Sequence, residues 1–298
     1  MRLPDFIIIG AAKSGTTTLY QYLCRHPQIF MSTPKEVDFF ASNNDVNYAK
    51  GLNWYASLFV EAGTQQICGE ATPKYTYWPH FPDAAIRIAQ VLPQVKLIYI
   101  MRHPVERAYS HYVQFIKNHQ NKQHNFKVPE TFEKSIEKNT YILNISDYMK
   151  QIEQYLQFFP RESFLFLFLD DLIQNPAEVM RKVCGFVGID EDFNFIQNNH
   201  IVANQAHSHT EWFLRSRITT PLRSIPGMTR IANLLPQSVR DGVYKGLRKL
   251  PYYEEYQRKQ YVASPMRPKT RQMLLGRFQE TNPKLAEFLH CDLSNWSK

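Results

Sequence analysis

Residues 6–18 read F-I-I-I-G-A-A-K-S-G-T-T-T: a short apolar strand runs into a loop bounded by Gly10 and Gly15, and a hydroxyl-rich helix start follows. Backbone N–H groups of such a loop, and of the helix N-terminus behind it, point at a bound anion; Lys13 adds a full positive charge. The pattern is not a Walker A motif. G-x-x-x-x-G-K-[ST] places lysine directly after the second glycine, whereas here Gly15 is followed by Thr16 and Thr17, so Lys13 comes three residues too early. The segment therefore predicts a phosphate cradle made from Lys13, Ser14, Gly15, Thr16 and Thr17, with a ligand other than the one an ordinary nucleoside triphosphatase hydrolyses.

The same alternation continues along the chain. Predicted strands at Phe6–Ile9, Ile67–Glu70, Lys96–Met101 and Ser163–Leu169 are separated by predicted helices at Thr16–Arg25, Asn53–Phe59, Ala84–Leu92, from Pro104 onward, at Tyr148–Phe158 and at Ala177–Val187. His26-Pro27 stops the first helix, and Phe30–Asn47 reads as a loop pinned by Phe39 and Phe40. Several strands are apolar on both faces, which predicts an α/β fold: three layers, with a largely parallel central sheet and helices on both sides. Ligands of such sheets bind at the carboxyl ends of the strands, and Gly10–Thr17, Glu70 and Arg102 all fall there. Residues 207–256 are rich in arginine, proline and aromatics without a strong strand, and read as a helical insertion or acceptor-side flap in one domain spanning 1–298. Leu274, Leu275, Phe278, Leu285, Phe288 and Leu289 form the predicted core face of the C-terminal helical region.

The chain has 298 residues, 44% of them hydrophobic and 14% aromatic, enough for a sizeable core. Its formal net charge of +8 favours acidic ligands. Cys24, Cys68, Cys184 and Cys291 lie far apart with no C-x-x-C pair, so we expect reduced core cysteines and no metal site. The first strand starts without a preceding signal-like segment, and no run approaches the length of a membrane span; the expectation is a cytoplasmic protein.

Three elements, in this order, resemble the sulfotransferases that use 3′-phosphoadenosine 5′-phosphosulfate, in particular the heparan-sulfate-like and bacterial branch. They are the G-A-A-K-S-G-T-T-T-L loop, Lys35-Glu36-Val37-Asp38-Phe39-Phe40, and the run from Arg102-His103-Pro104 to Ser110-His111-Tyr112. The resemblance implies a P-loop-like sulfotransferase domain in which Lys13 contacts the 5′-phosphosulfate and Arg102 and Ser110 hold the 3′-phosphate. It also makes Glu36 the general base; from its position alone, one residue beyond Ser110, His111 is the next candidate should Glu36 not serve. The implied product nucleotide is adenosine 3′,5′-bisphosphate. The implied acceptor is a hydroxyl, or less readily an amine, of a small molecule or carbohydrate. No metal and no nucleic acid is called for. Arg107 is expected to pair with a carboxylate.

This sequence departs from the family pattern in three places. Glu70-Ala71-Thr72-Pro73-Lys74 lacks the lysine that often follows the strand-end glutamate, leaving open whether Lys74 replaces its charge. Asp38 stands where some carbohydrate-modifying relatives have histidine. No C-terminal phosphate loop is recognisable, with Arg258, Lys259 and Arg267 as candidates for that role. Two other function classes compete. A P-loop kinase or NTPase would use the same cradle with Phe164–Asp171 as its Walker B strand, although Asp171 serves equally well as a helix cap. A non-enzymatic polyanion binder would use the basic stretch Arg215–Arg248.

Overall fold

Successive residues of a strand face opposite sides of its sheet, and the first strand uses both. Phe6 and Ile8 of β1 (Phe6–Gly10) enter one apolar layer, Ile7 and Ile9 the other, and all four are buried. The computed structural model describes residues 1–41, 43–120, 131–195 and 263–298; the expected insertion at 207–256, and Arg258 and Lys259, lie outside them. The described residues belong to one compact unit, Met1–Ile201 with Ala263–Lys298.

In chain order the elements are β1, α1 (Thr16–Leu23), β2 (Ile29–Met31), α2 (Gly51–Ser57), β3 (Ile67–Ala71), α3 (Ala84–Val91), β4 (Lys96–Met101) and α4 (Pro104–Gln120). They continue with α5 (Phe132–Lys138), α6 (Tyr141–Asn144), α7 (Tyr148–Leu156), β5 (Phe164–Phe168), α8 (Leu169–Gln174), α9 (Pro176–Val187), α10 (Pro268–Phe278) and α11 (Asn282–Leu289). The strands form a five-stranded sheet in the order β2-β3-β1-β4-β5, and every neighbouring pair is parallel. Ile8 lies level with Ala71 on one side and Ile98 on the other, so β1 is the central strand.

Helices cover both faces. On one, Ile7, Ile9, Leu97, Tyr99 and Met101 pack against Tyr55 of α2, Ile88 of α3, Ile152 and Tyr155 of α7 and Leu285 of α11. On the other, Phe6, Ile8, Ile98, Ile100 and Leu167 meet Leu19 and Leu23 of α1, Leu172 of α8, and Met180 and Val183 of α9. Each fully buried aliphatic or aromatic side chain stabilises the fold by about 1.5–3 kcal/mol. A third apolar cluster joins α4, α5, α6 and α10 through Val105, Tyr112, Phe132, Ile142, Leu274 and Phe278. The three-layer, parallel α/β architecture matches the sequence expectation.

Four details differ from it. Ile29–Met31 lies at the edge of the predicted loop but forms edge strand β2, too short to show alternation. The C-terminal apolar face is divided: Leu274, Leu275 and Phe278 enter the third cluster, whereas Leu285, Phe288 and Leu289 enter the first. Asp171 caps no helix, because it lies inside α8; Asn175 caps α9, its side-chain oxygen accepting from Glu178 N–H at 3.3 Å. Cys68 and Cys184 are buried free thiols as expected, but Cys24, just past the end of α1, is exposed. Among the described residues no helix is long and apolar enough to cross a membrane.

The loop after β1 depends on its glycines. A Cβ on Gly10 would lie 2.2 Å from Thr76 Oγ1 and 2.6 Å from Tyr99 Cε2, and Gly15 has φ +94° with a Cβ position 2.6 Å from Leu169 Cδ1. Gly15→Ala should therefore lower unfolding free energy by roughly 1–3 kcal/mol, through left-handed strain and the Leu169 clash. Urea unfolding followed by circular dichroism is the check. A variant as stable as wild type would mean that the loop relaxes freely.

Candidate active site at the carboxyl rim of the sheet

The three sequence segments meet because all strands run the same way and their following loops leave by one rim. The loop after β1 is drawn towards β4 by Ala11 N–H donating to Ile100 O at 2.8 Å, and closed on itself by Ser14 N–H donating to Ala11 O at 3.2 Å. Lys13 sits at its apex with φ +69°, a conformation non-glycine residues rarely adopt. Its ammonium donates to Gln114 Oε1 of α4 at 3.1 Å. Gly15 is the left-handed residue before α1; Thr16 is buried and Thr17 half-buried in the helix's first turn, where the backbone N–H groups have no intrahelical acceptor. Ser14 is fully buried, its hydroxyl beside Tyr148.

The 102–111 segment clasps this loop from behind. Arg102 Nη1 donates to Lys13 O at 3.3 Å, and the Arg102 carbonyl accepts from Tyr148 OH at 2.8 Å. Ser110 is half-buried on α4, one turn before Gln114. Arg107 is 0% exposed. The expected carboxylate is not among its partners: Nε donates to Ser146 Oγ at 2.7 Å, Nη2 to Ile142 O at 2.6 Å and Nη1 to Ala12 O at 3.4 Å. Burial alone lowers its affinity for a proton, and nearby tyrosines pull the other way. The physical reason for the departure is that neutral oxygens, placed by α6, the turn after it and the loop, occupy each of the three nitrogens that an ion pair would otherwise engage.

His111 does not serve as a base in this arrangement. It is buried, and its Nδ1 lies 3.1 Å from Arg107 Nη1, which can only donate. Its Nε2, 2.9 Å from Tyr141 OH, therefore carries the proton. Burial first, then the charges of Arg107 and Lys13, hold its pKa well below the usual histidine value.

The third segment carries Glu36. Its backbone N–H donates to Ala71 O at 3.0 Å, which fixes it beside the end of β3. Its carboxylate is 47% exposed and pairs with Lys35 at 2.7 Å. Glu36 (φ +63°) and Asp38 (φ +55°) are both left-handed. Lys74 does reach this segment, where it forms an ion pair with Asp38. Burial raises the Asp38 pKa, and Lys74 opposes the rise. Behind the site the ring of Tyr77 lies against His111 and Tyr141, with centroids 6.1 and 5.8 Å away. Arg267 is exposed, and its backbone N–H donates to Glu133 Oε1 at 3.1 Å. Among the described residues no group of three or more His, Cys, Asp or Glu side chains could hold a metal ion.

Sequence reasoning did not single out Gln114, Tyr148 or Ser146. Gln114 had a readable signal, since it lies seven residues after Arg107 and four after Ser110 on the face of α4 turned to the loop. Tyr148 and Ser146 are recruited by tertiary contact alone. The assembled site is a cradle of amides with Lys13, Arg102 and Arg107 against it, suited to a multiply charged anion, and with a half-exposed carboxylate on the neighbouring loop.

The buried neutral histidine has a consequence for stability. Unfolded histidine binds a proton near pH 6.5, whereas folded His111 resists until lower pH, so between those values the unfolded state holds more protons. Stability should fall as pH drops below about 6.5, and His111→Gln should make that fall shallower. Urea unfolding at half-unit steps from pH 5 to 8 measures it; identical slopes in both proteins would show that His111 is protonated in the folded state.

Residues 3–218 match the model of the sulfotransferase domain. The chain is 35% identical over 196 residues to heparan sulfate glucosamine 3-O-sulfotransferase 5 of Mus musculus, covering 63% of this chain and 54% of that protein. It is 31% identical over 211 residues to the bifunctional heparan sulfate N-deacetylase/N-sulfotransferase 3 of Homo sapiens, covering 65% of this chain and 23% of that one. The chain thus spans about half the length, or less, of these curated relatives. A crystal structure of a sulfotransferase from Alicyclobacillus acidocaldarius superposes over 100% of both chains with a TM-score of 0.66 at 22% identity, which establishes a shared fold. With the family match extending over most of its length, the chain belongs to the sulfotransferase family.

Proposed function

We propose that this protein transfers a sulfuryl group from 3′-phosphoadenosine 5′-phosphosulfate to a hydroxyl of a carbohydrate or other small-molecule acceptor. The observation that carries the reading is the contact of Arg102 with the carbonyl of Lys13, 3.3 Å, because it brings the loop after β1 and the segment after β4 together, which supports their use on one nucleotide. The co-substrate supplies the sulfuryl group and, on transfer, a phosphate leaving group. Lys13 and the amides at the start of α1, of Gly15, Thr16 and Thr17, meet the negative charge that grows on the leaving oxygen. Arg102 offers a planar fork to the 3′-phosphate, and Ser110 a hydroxyl from the adjoining helix. Arg107 adds buried positive charge behind the loop without a carboxylate among its described partners to cancel it.

An aliphatic hydroxyl is too weak an acid to ionise in advance, so a base must take its proton as the O–S bond forms. Glu36 fits that role: its carboxylate is accessible, while its backbone is pinned to β3. His111 does not, since Arg107 occupies its free lone pair. The named activities of the relatives, on heparan sulfate, support a carbohydrate acceptor. The lysine that often follows the strand-end glutamate in the resembled family is absent here, and Lys74 instead pairs with Asp38 on the loop that carries Glu36.

Glu36→Gln should reduce turnover by roughly a hundred- to ten-thousandfold while leaving nucleotide affinity unchanged. Lys13→Ala should act mainly on turnover, and Arg102→Ala on affinity, abolishing the preference for adenosine 3′,5′-bisphosphate over adenosine 5′-monophosphate. Calorimetric titration and transfer of labelled sulfuryl to an acceptor panel measure these effects. Equal binding of the two nucleotides by wild type, or a preference for ATP with magnesium, would refute the assignment.

A further inference from the structure

Glu70 is a carboxylate that the reaction above does not use. It lies at the end of β3, is 0% exposed, and has no cation among its described hydrogen-bond partners. Three hydroxyls surround it. Thr72 Oγ1 and Tyr75 OH donate to Oε1 at 2.7 and 2.6 Å, and Tyr55 OH donates to Oε2.

Each of those side chains has a second task, and all three tasks fall on one segment. Thr72 Oγ1 accepts from Asp38 N–H at 3.3 Å. Tyr75 OH accepts from Phe39 N–H at 3.1 Å and from Phe40 N–H at 3.4 Å. The ring of Tyr55 stacks on Phe39 with centroids 4.3 Å apart and planes 6° from parallel. A hydroxyl that accepts from a backbone N–H must send its own proton elsewhere, and for Thr72 and Tyr75 that acceptor is Glu70 Oε1. The segment needs such fastening, because Glu36 and Asp38 both hold left-handed backbone, which non-glycine residues adopt at an energetic cost.

We propose that Glu70 is a positioning residue for Glu36: one buried carboxylate orients the side chains that hold residues 36–40 in place at the rim. The proposal rests on the reading of Glu36 as the base. Its physical content is orientation rather than charge, since Oε1 need only accept two protons. A glutamine at 70 meets that need, with its amide oxygen at the Oε1 position and its NH2 donating to Tyr55. A methionine of similar length does not.

The test uses Glu70→Met, Glu70→Gln and Tyr75→Phe in the full chain, with three readouts. These are amide hydrogen exchange over residues 38–40, calorimetric affinity for adenosine 3′,5′-bisphosphate, and turnover of labelled donor with desulfated heparan oligosaccharides as acceptor probe. Glu70→Met and Tyr75→Phe should each speed exchange and lower kcat by about tenfold or more, with acceptor KM and bisphosphate affinity unchanged within about twofold. Glu70→Gln should restore both towards wild type. The proposal is overturned if Tyr75→Phe leaves exchange and kcat untouched, a result independent of whether Glu70→Met folds. It is also overturned if Glu70→Gln is as damaging as Glu70→Met. Failure of the underlying reading looks different: Glu36→Gln would then keep its turnover while the exchange results stand.

Discussion

The guanidinium of Arg107 is removed from water without a carboxylate among its described partners, and much of the site is arranged around that fact. An unsatisfied buried cation would cost several kcal/mol, so its nitrogens need partners, and four acceptors come to them from elements far apart in sequence. The carbonyl of Ala12 comes from the loop after β1, the carbonyl of Ile142 from α6, the hydroxyl of Ser146 from the turn before α7, and Nδ1 of His111 from its own helix. Moving any one of these strands a donor in a medium where water cannot replace the partner. The loop that carries Lys13 is therefore held by the charge behind it as well as by its own turns.

A parallel sheet supplies the other half of the arrangement. With β1 between β3 and β4, the segments after these three strands leave by the same edge, and each carries one ingredient of the site: amides and Lys13, the seating of Glu36 against Ala71, and Arg102. Lys13 and Arg102 lie on the β1 and β4 segments, whereas Glu36 and Asp38 lie beside β3, each paired with a lysine of its own, Lys35 and Lys74. On the proposed mechanism the nucleotide would lie over β1 and β4 and the acceptor's proton would leave over β3, beside the Lys35–Glu36 pair.

What could be read from the sequence follows from what is local. The strand–loop–helix at 6–23 was legible because apolar run, glycine and hydroxyl cluster are contiguous, and Pro104 announced the start of α4 in the same way. Strand β2 was not, since three residues cannot display a period and its strand character comes from pairing with β3. The neutral state of His111 depends on a donor one helical turn earlier whose carboxylate partner was expected and is replaced by carbonyls. Glu70 was placed at the rim by pattern alone, but its three hydroxyl partners come from Tyr55, Thr72 and Tyr75, and the association with Tyr55 exists only after α2 packs on the sheet.

The central position of β1 also governs how the protein acquires its binding loop. Its partners lie at residues 67–71 and 96–101, so neither edge of β1 is paired until some sixty to ninety residues of chain have been brought together. Parallel pairings of that separation form slowly, because loop closure must precede the contacts that reward it. A short peptide carrying the loop sequence has no means of keeping Gly10 against Tyr99 or Gly15 against Leu169. The proposed anion affinity would consequently be a property of the completed sheet, and a ligand bound there at a hundred times its dissociation constant would add about 2.7 kcal/mol to the unfolding free energy of the whole unit.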